Sequence, residues 1–175
     1  VLLGAGTGLL NAMSSNAGDI LTNVITVYPG FRSIPYDGME QNSYVRLDME
    51  DVTYTSGPRF SDVVDDVTGS IYYSDTLSLG REYLSANIVG VAPLYRRIND
   101  KKLLTGRFLN DKDIEECRKT IVVDARTASS LLGDDPRCEM ILGRHVKIAG
   151  LLYQVVGIIE TNEMMGGNAA VYITI

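Results

Sequence analysis

The sequence predicts an α+β fold in two lobes, a mixed-sheet lobe over residues 1–99 and a smaller α/β lobe over residues 100–175. Ile121–Val123 is a short apolar run between two segments with helix signals, which is typical of a strand buried on both faces. The first half of the chain instead contains stretches in which apolar and polar side chains alternate, as in half-exposed strands. The polar segment Asn99–Lys102 separates these patterns, and we place the lobe boundary there.

The composition is that of an ordinary globular protein. The length of 175 residues is enough for one domain with a proper core or for two small lobes. Of these residues, 45% are hydrophobic and 22% are charged, as in soluble globular proteins. The formal net charge of −6 argues against nucleic acid or an anionic membrane surface as a partner. The sequence has no apolar run of about 18 residues, so no membrane-spanning helix is predicted.

The first predicted element is a long amphipathic helix. Apolar side chains recur at alternating three- and four-residue intervals and form one stripe of a helix over residues 2–21. The stripe consists of Leu10, Met13, Ala17 and Ile20. The start of the sequence lacks the basic region and the cleavage site of a signal peptide. We interpret it as the tail of a helix that leaves a membrane.

The rest of the first lobe is predicted to consist of strands, one loop and two short helices. Pro35 and the Asp37-Gly38 pair predict a loop over residues 31–43. Asp48 is predicted to cap the first short helix, which ends at Gly57. The second is a helical turn over residues 94–98. The segments with strand character are residues 24–28, 44–47, 61–73, 76–79 and 83–91.

The second lobe is predicted to surround the buried strand. A helix that begins at Asn110 or Asp111 precedes this strand, because the acidic side chains there suit the positive end of a helix. A second helix, Ala125–Leu132, follows with Asp124 as its N-cap, and Gly133 ends it. Further strands are predicted over residues 145–149, 152–159 and 169–175, the first two forming a hairpin.

No residue pattern predicts a catalytic, cofactor or metal site. Gly4–Gly8 resembles a nucleotide-binding motif, but its third glycine comes one residue early and no acidic residue follows on the next strand. His145 is the only histidine, and no nucleophile relay lies near it in the sequence. The cluster of acids after Asn110 lacks the glycine that a calcium-binding loop needs for its turn. Helix-start electrostatics explains this cluster better; it comprises Asp111, Asp113, Glu115 and Glu116.

The two cysteines leave their redox state open. Cys117 lies in a predicted helix and Cys138 in a polar loop, and a disulfide between them is compatible with an oxidising compartment. Our interpretation is two free thiols, because neither cysteine belongs to a metal-binding spacing.

One loop is a possible partner contact. Residues 161–168 form a glycine-rich loop with Met164 and Met165 at its middle, followed by Gly166 and Gly167. Large flexible apolar side chains at a loop tip suit an adaptable contact surface. Local packing of the methionines is the alternative, and the sequence favours neither.

Three stretches of the sequence carry a family resemblance. They are Asn23–Gly30 (NVITVYPG), Val89–Leu109 (with VGVAP and LLTGRFL) and Ile148–Ile159 (IAGLLYQVVGII). In order and spacing they resemble the extracytoplasmic core domain of MacB-type ABC transporter permeases, the FtsX-like permease family. The ATPase domain, the transmembrane helices and the final return segment of that family are absent from this sequence. We therefore expect an excised soluble piece with a sheet edge that is open to pairing with another copy.

The resemblance implies a non-catalytic domain on the periplasmic side of the inner membrane, without a cofactor. Such a domain would relay ATP-driven movement of the transmembrane helices to a periplasmic adaptor protein or to the substrate. The lobe over residues 1–99 would be membrane-proximal, its long helix would be the lever, and the 100–175 lobe would be the outer contact surface. The full-length protein would be a homodimer in the membrane with an ATPase domain. One alternative is an interaction module of a non-exporting FtsX-type permease that regulates cell-envelope enzymes or lipoproteins. A second is an enzyme with a scattered active site.

Overall fold

The structure is a computed structural model that describes residues 24–35, 38–161 and 170–175. Two sequence predictions lie outside these described residues: the helix over residues 2–21 and the partner-contact residues Met164, Met165, Gly166 and Gly167. In the described part of the chain, no helix is long and apolar enough to cross a membrane.

The chain divides into two compact units, of which residues 1–47 form the first. Within it, strand β1 (Gly30–Phe31) pairs antiparallel with strand β2 (Tyr44–Val45), and the rings of Phe31 and Tyr44 meet edge-on at 5.3 Å. The predicted strand Val24–Tyr28 is wrong, because this segment has no ladder partner among the described residues and Ile25 is 90% exposed. Alternating side chains make a strand only where a second strand supplies the hydrogen bonds.

The second unit, residues 48–175, carries the remaining elements. Its helices are α1 (Met49–Thr55), α2 (Tyr95–Ile98), α3 (Asp111–Glu115) and α4 (Ala125–Leu131), with a 3₁₀ helix at Cys138–Ile141. Its strands are β3 (Ser70–Leu79), β4 (Glu82–Val91), β5 (Leu103–Gly106), β6 (Thr120–Asp124), β7 (His145–Ile148), β8 (Leu151–Ile159) and β9 (Ala170–Thr174).

These strands form one mixed sheet in the order β5-β8-β6-β9-β4-β3-β7. β7 also pairs with β8, so every strand of this sheet except β5 belongs to a closed ring. The predicted boundary at Asn99–Lys102 is not a break in this structure, because β4 on one side of it pairs in parallel with β9 on the other. The polar segment is only the connection from α2 to β5, and the chain divides between Leu47 and Asp48 instead.

The buried strand is confirmed as an interior strand of the sheet. β6 is parallel to β8 and antiparallel to β9, and Ile121, Val122 and Val123 are all 0% exposed. Ile121 and Val123 belong to the hydrophobic cluster that includes residues of α4. Val122 belongs to a separate cluster with Phe108 and Tyr172. Successive residues of a strand face opposite sides of the sheet, so one strand contributes to both cores.

The helix starts follow the predicted capping chemistry. Asp48 and Asn110 each accept a hydrogen bond from a backbone N–H inside the helix they precede, and each forms a capping box. The strand predicted over residues 61–73 begins only at Ser70 and continues to Leu79. Its early part is wrong because the Phe60 carbonyl accepts the N–H groups of residues 63 and 64 in turns, which a strand would direct to a neighbour.

Candidate partner-contact site

The described residues show how the predicted contact loop is held at its base. Thr161 is its first residue, and Ala170, the first residue of β9, is the first described residue after it; both lie beside the N-terminus of α4. The Arg126 N–H donates to Thr161 Oγ1 at 3.1 Å. The Ala170 N–H donates to Asp124 Oδ2 at 3.2 Å. Both residues are therefore hydrogen-bonded to the N-terminal end of α4, the helix that directly follows β6.

Asp124 is the residue that joins these parts. It ends β6, is only 4% exposed, and its second oxygen, Oδ1, accepts the Thr127 N–H at 2.6 Å as the N-cap of α4. The sequence predicts this cap correctly. It misses the bond to Ala170, because a contact between residues 46 positions apart leaves no local pattern.

An ion pair between Arg107 and Asp113 lies in the segment that follows β5. Arg107 Nη1 lies 2.5 Å from Asp113 Oδ2, and Nη2 lies 2.9 Å from Oδ1. The Asn110 N–H donates to the same carboxylate at 3.0 Å. Burial raises the pKa of the Asp113 carboxyl, but these hydrogen bonds and the charge of Arg107 outweigh it and hold the pKa below its ordinary value.

Sequence reasoning places Asp113 at a helix start, which the structure confirms, but it misses Arg107. The capping box was the signal that could have predicted this ion pair. Its last residue, Asp113, directs its side chain back toward the residues before the helix. An arginine just upstream is within reach of a carboxylate held in that direction.

Two glycines set the position of Arg107. At Gly106, where φ is +76°, a Cβ atom would lie 2.4 Å from the Val156 carbonyl oxygen. At Gly157 a Cβ atom would lie 2.0 Å from the Arg107 carbonyl oxygen. The Arg107 N–H then donates to Val156 O at 2.9 Å. β5 and β8 approach this closely only because neither glycine has a side chain.

The next two residues after Arg107 enter the second core. Phe108 and Leu109 are 7% and 3% exposed, and the Phe108 ring centre lies 6.2 Å from that of Tyr172 on β9. Burial, followed by the charges of Asp124 and Tyr72, raises the pKa of Tyr172 to about 12. Phe108 and Leu109 of the motif LLTGRFLNDKDI therefore pack in one hydrophobic cluster with Tyr172 of β9, the strand that follows the predicted contact loop.

We expect Asp113→Asn to destabilise the second unit by about 1–2 kcal/mol. A hydrogen-bonded charge pair contributes up to about 3 kcal/mol, and this value is reduced because 40% of the Arg107 side chain is exposed. The pKa of Asp113 is lowered in the folded state, so its contribution is present above the unfolded carboxyl pKa of about 3.9 and is lost as pH falls through the folded value.

Thermal unfolding of both proteins at a series of pH values measures this. The difference between wild type and Asp113→Asn should shrink below pH 4, roughly the ordinary carboxyl pKa. Asp135→Asn is the matched control, because Asp135 also pairs with an arginine, Arg137, whose side chain is 71% exposed. An equal loss in the two variants would contradict the role of burial at Asp113.

The other residues considered in the sequence lie apart from this site. His145 is exposed at the start of β7. Cys117 is an exposed free thiol and Cys138 a half-buried one, in agreement with our interpretation of free thiols. Within the described ranges, no group of three or more histidine, cysteine, aspartate or glutamate side chains is arranged to hold a metal ion.

Comparison with known proteins gives the family. The sequence matches the MacB-like periplasmic core domain over residues 1–175. The macrolide export ATP-binding/permease protein MacB of Shewanella oneidensis is 26% identical over 172 residues, which are 97% of this chain and 25% of that protein. MacB 2 of Aeromonas hydrophila is 27% identical over 146 residues, which are 83% of this chain and 21% of that protein. The chain thus spans about a quarter of the length of the curated relatives it matches.

Two solved structures have the same fold. The periplasmic region of MacB from Actinobacillus actinomycetemcomitans superposes with a TM-score of 0.62 at 18% identity, over 82% of this chain and 62% of that one. The extracellular domain of the transporter YknZ from Gram-positive bacteria superposes with a TM-score of 0.59 at 21% identity, over 71% and 60%. These matches confirm the resemblance and the mixed α/β architecture. The chain therefore belongs to the MacB-like periplasmic core domain family, as a periplasmic domain of an ABC transporter permease of the inner membrane.

Proposed function

We propose that this domain is a non-catalytic relay, which passes ATP-driven movement of the transmembrane helices of its permease to a periplasmic adaptor protein or to the transported substrate. Family membership supports this proposal, since the family is a transporter permease domain and not a known enzyme family. The curated relatives are named macrolide export ATP-binding/permease proteins. By analogy with them, we propose that the full-length protein exports a substrate, has an ATPase domain and is a homodimer in the membrane.

The observation that carries the proposal is that the described residues on both sides of the contact loop are hydrogen-bonded to the N-terminal end of α4. A relay transmits displacement only if its output surface is attached to parts that do not deform, and close-packed cores satisfy this requirement. Thr161 is bonded to Arg126 and Ala170 to Asp124, and Asp124 belongs to the fully buried β6. Arg107, which pairs with Asp113, directly precedes Phe108 and Leu109, and these two residues belong to the same hydrophobic cluster as Val122 of β6.

We therefore expect the double change Met164→Ser, Met165→Ser to leave folding intact and to weaken adaptor binding by at least about tenfold. Covering a methionine side chain contributes about 1.5–3 kcal/mol, and about 1.4 kcal/mol is a factor of ten in affinity. Adaptor binding and substrate export by the full-length transporter are the measurements. Met140→Ser is the matched control, because Met140 is a 45% exposed methionine outside the loop.

Two outcomes would contradict the proposal. Wild-type adaptor binding and export by the double variant would mean that the loop contacts nothing of importance. A thermal midpoint lowered by many degrees would mean that the methionines belong to the core.

A further inference from the structure

Among the residues that the structure describes, the first half of β3 is an open sheet edge. β3 pairs with β4 along its whole length, Ser70–Leu79, but with β7 only at Leu77 and Ser78. Among the described residues, no backbone hydrogen bond outside the β3–β4 ladder involves Ser70–Thr76. In an antiparallel strand, alternate residues direct their N–H and C=O groups away from the paired neighbour. Along one side, this stretch therefore presents backbone groups that pair with none of the described residues.

The side chains of this edge are unusual for an exposed strand. Edge strands are normally protected by charges, proline or bulges, but Ser70–Ser74 contains no charged residue and no proline. Ile71, Tyr72 and Tyr73 are 61%, 59% and 41% exposed. Because neighbouring side chains point to opposite faces, apolar surface is available on both faces of the edge.

The sequence of the edge is also close to symmetric about its centre, and only the pair Ile71 and Tyr73 differs. Read from Tyr72 in both directions, Ser-Ile-Tyr-Tyr-Ser places Ser70 against Ser74 and Ile71 against Tyr73 in an antiparallel pair of two identical strands. Tyr72 would face the Tyr72 of the other copy. The first charged residue, Asp75, would face Gly69, so no like charges oppose each other despite a net charge of −6 on each chain.

We propose that β3 binds β3 of a second copy of this chain, antiparallel, with the two-fold axis at Tyr72. A two-fold interface requires a surface that is complementary to itself, and the pairing of serine with serine and of isoleucine with tyrosine provides one. The new ladder continues the sheet from one copy into the other. Edge-to-edge contact is smaller than the roughly 1,200 Å² of a standard interface, so this dimer is weak and depends on protein concentration.

Sedimentation equilibrium of the 175-residue chain over a range of concentrations tests the pairing. Wild type should show a monomer–dimer equilibrium, and Tyr72→Lys should raise the dissociation constant at least about tenfold, because two lysines would face each other on the axis. Tyr83→Lys is the matched control and should leave the constant unchanged. Tyr83 is 72% exposed and belongs to the same hairpin, but it lies on β4, opposite Ser78.

An equimolar mixture of Tyr72→Lys and Tyr72→Glu provides the sharper measurement. Each variant alone places like charges on the axis, whereas the mixture places a lysine against a glutamate and should restore dimerisation. Thermal midpoints close to that of wild type show that both variants are folded.

Three results would overturn the proposal: a wild-type chain that is monomeric at every concentration, a dimer that Tyr72→Lys and Tyr83→Lys weaken equally, or a mixture that does not associate better than its components. Binding of a strand from a different protein at this edge, with no self-association, would likewise replace the second copy as its occupant.

Discussion

Replacing Val122 by aspartate is expected to unfold the second unit. Val122 is 0% exposed and lies in β6, between β8 and β9, in a cluster with Phe108 and Tyr172. A carboxylate there has no cation to pair with in that cluster, and burying it costs more than about 4 kcal/mol even if it is protonated. The whole stability of a domain of this size is about 5–15 kcal/mol. The variant should therefore lose its thermal transition or accumulate as insoluble protein.

The control for this variant is Val63→Asp, which makes the same chemical change at a valine that is 81% exposed. It should alter stability by no more than about 0.5 kcal/mol. Thermal unfolding followed by circular dichroism compares the two. A soluble Val122→Asp protein with the wild-type thermal midpoint would show that β6 is not the centre of the core.

The burial of β6 could be predicted from the sequence because all of its signals are local. Ile121–Val123 is apolar and β-branched throughout, and helix caps lie on both sides of it at Asn110 and Asp124. A run with no polar alternation between two helices must be covered on both faces. The hairpin of β7 and β8 could be predicted for the same reason, since Gly150 marks its turn.

Features that depend on distant residues could not be predicted in this way. Val24–Tyr28 has the alternation of a strand, but no described strand pairs with it. The boundary at Asn99–Lys102 failed because β4 and β9 are paired across it, between residues such as Asn87 and Ala170. Local composition records where a chain is polar, whereas the division into units depends on which strands pair.

The candidate site shows the same limit. The sequence singled out Met164 and Met165 from their chemistry and Asp124 from its capping position, as separate features. The structure joins Asp124 to Ala170, the first described residue after the predicted contact loop, so the capping residue also binds the start of β9. This dual use follows from the two oxygens of a carboxylate, one of which remains free after the cap is made.

Gly157→Ala is expected to destabilise the second unit by about 3 kcal/mol, which lowers the thermal midpoint by roughly 6–12 °C. The added Cβ would lie 2.0 Å from the Arg107 carbonyl oxygen, a backbone atom that cannot rotate away, so β5 must move off β8. Gly69→Ala is the matched control, because Gly69 also has no positive φ and its added Cβ would meet the Val52 side chain at 3.5 Å, an ordinary contact. It should change stability by no more than about 1 kcal/mol.

The displacement of Arg107 should also weaken its pairing with Asp113, because the guanidinium moves with the backbone. In the Gly157→Ala background, Asp113→Asn should therefore cost less than it does in wild type, and a double-mutant cycle of thermal or denaturant unfolding measures the difference. Additive effects of the two substitutions would mean that Arg107 keeps its position when β5 shifts. A wild-type thermal midpoint for Gly157→Ala alone would mean that β5 and β8 do not approach as closely as the structure shows. The expected coupling means that the close approach of β5 and β8 and the ion pair depend on each other. Because Gly106 and Gly157 have no side chains, Arg107 lies where it pairs with the buried Asp113. Phe108 and Leu109, the next two residues, then pack in the cluster that contains Tyr172 of β9.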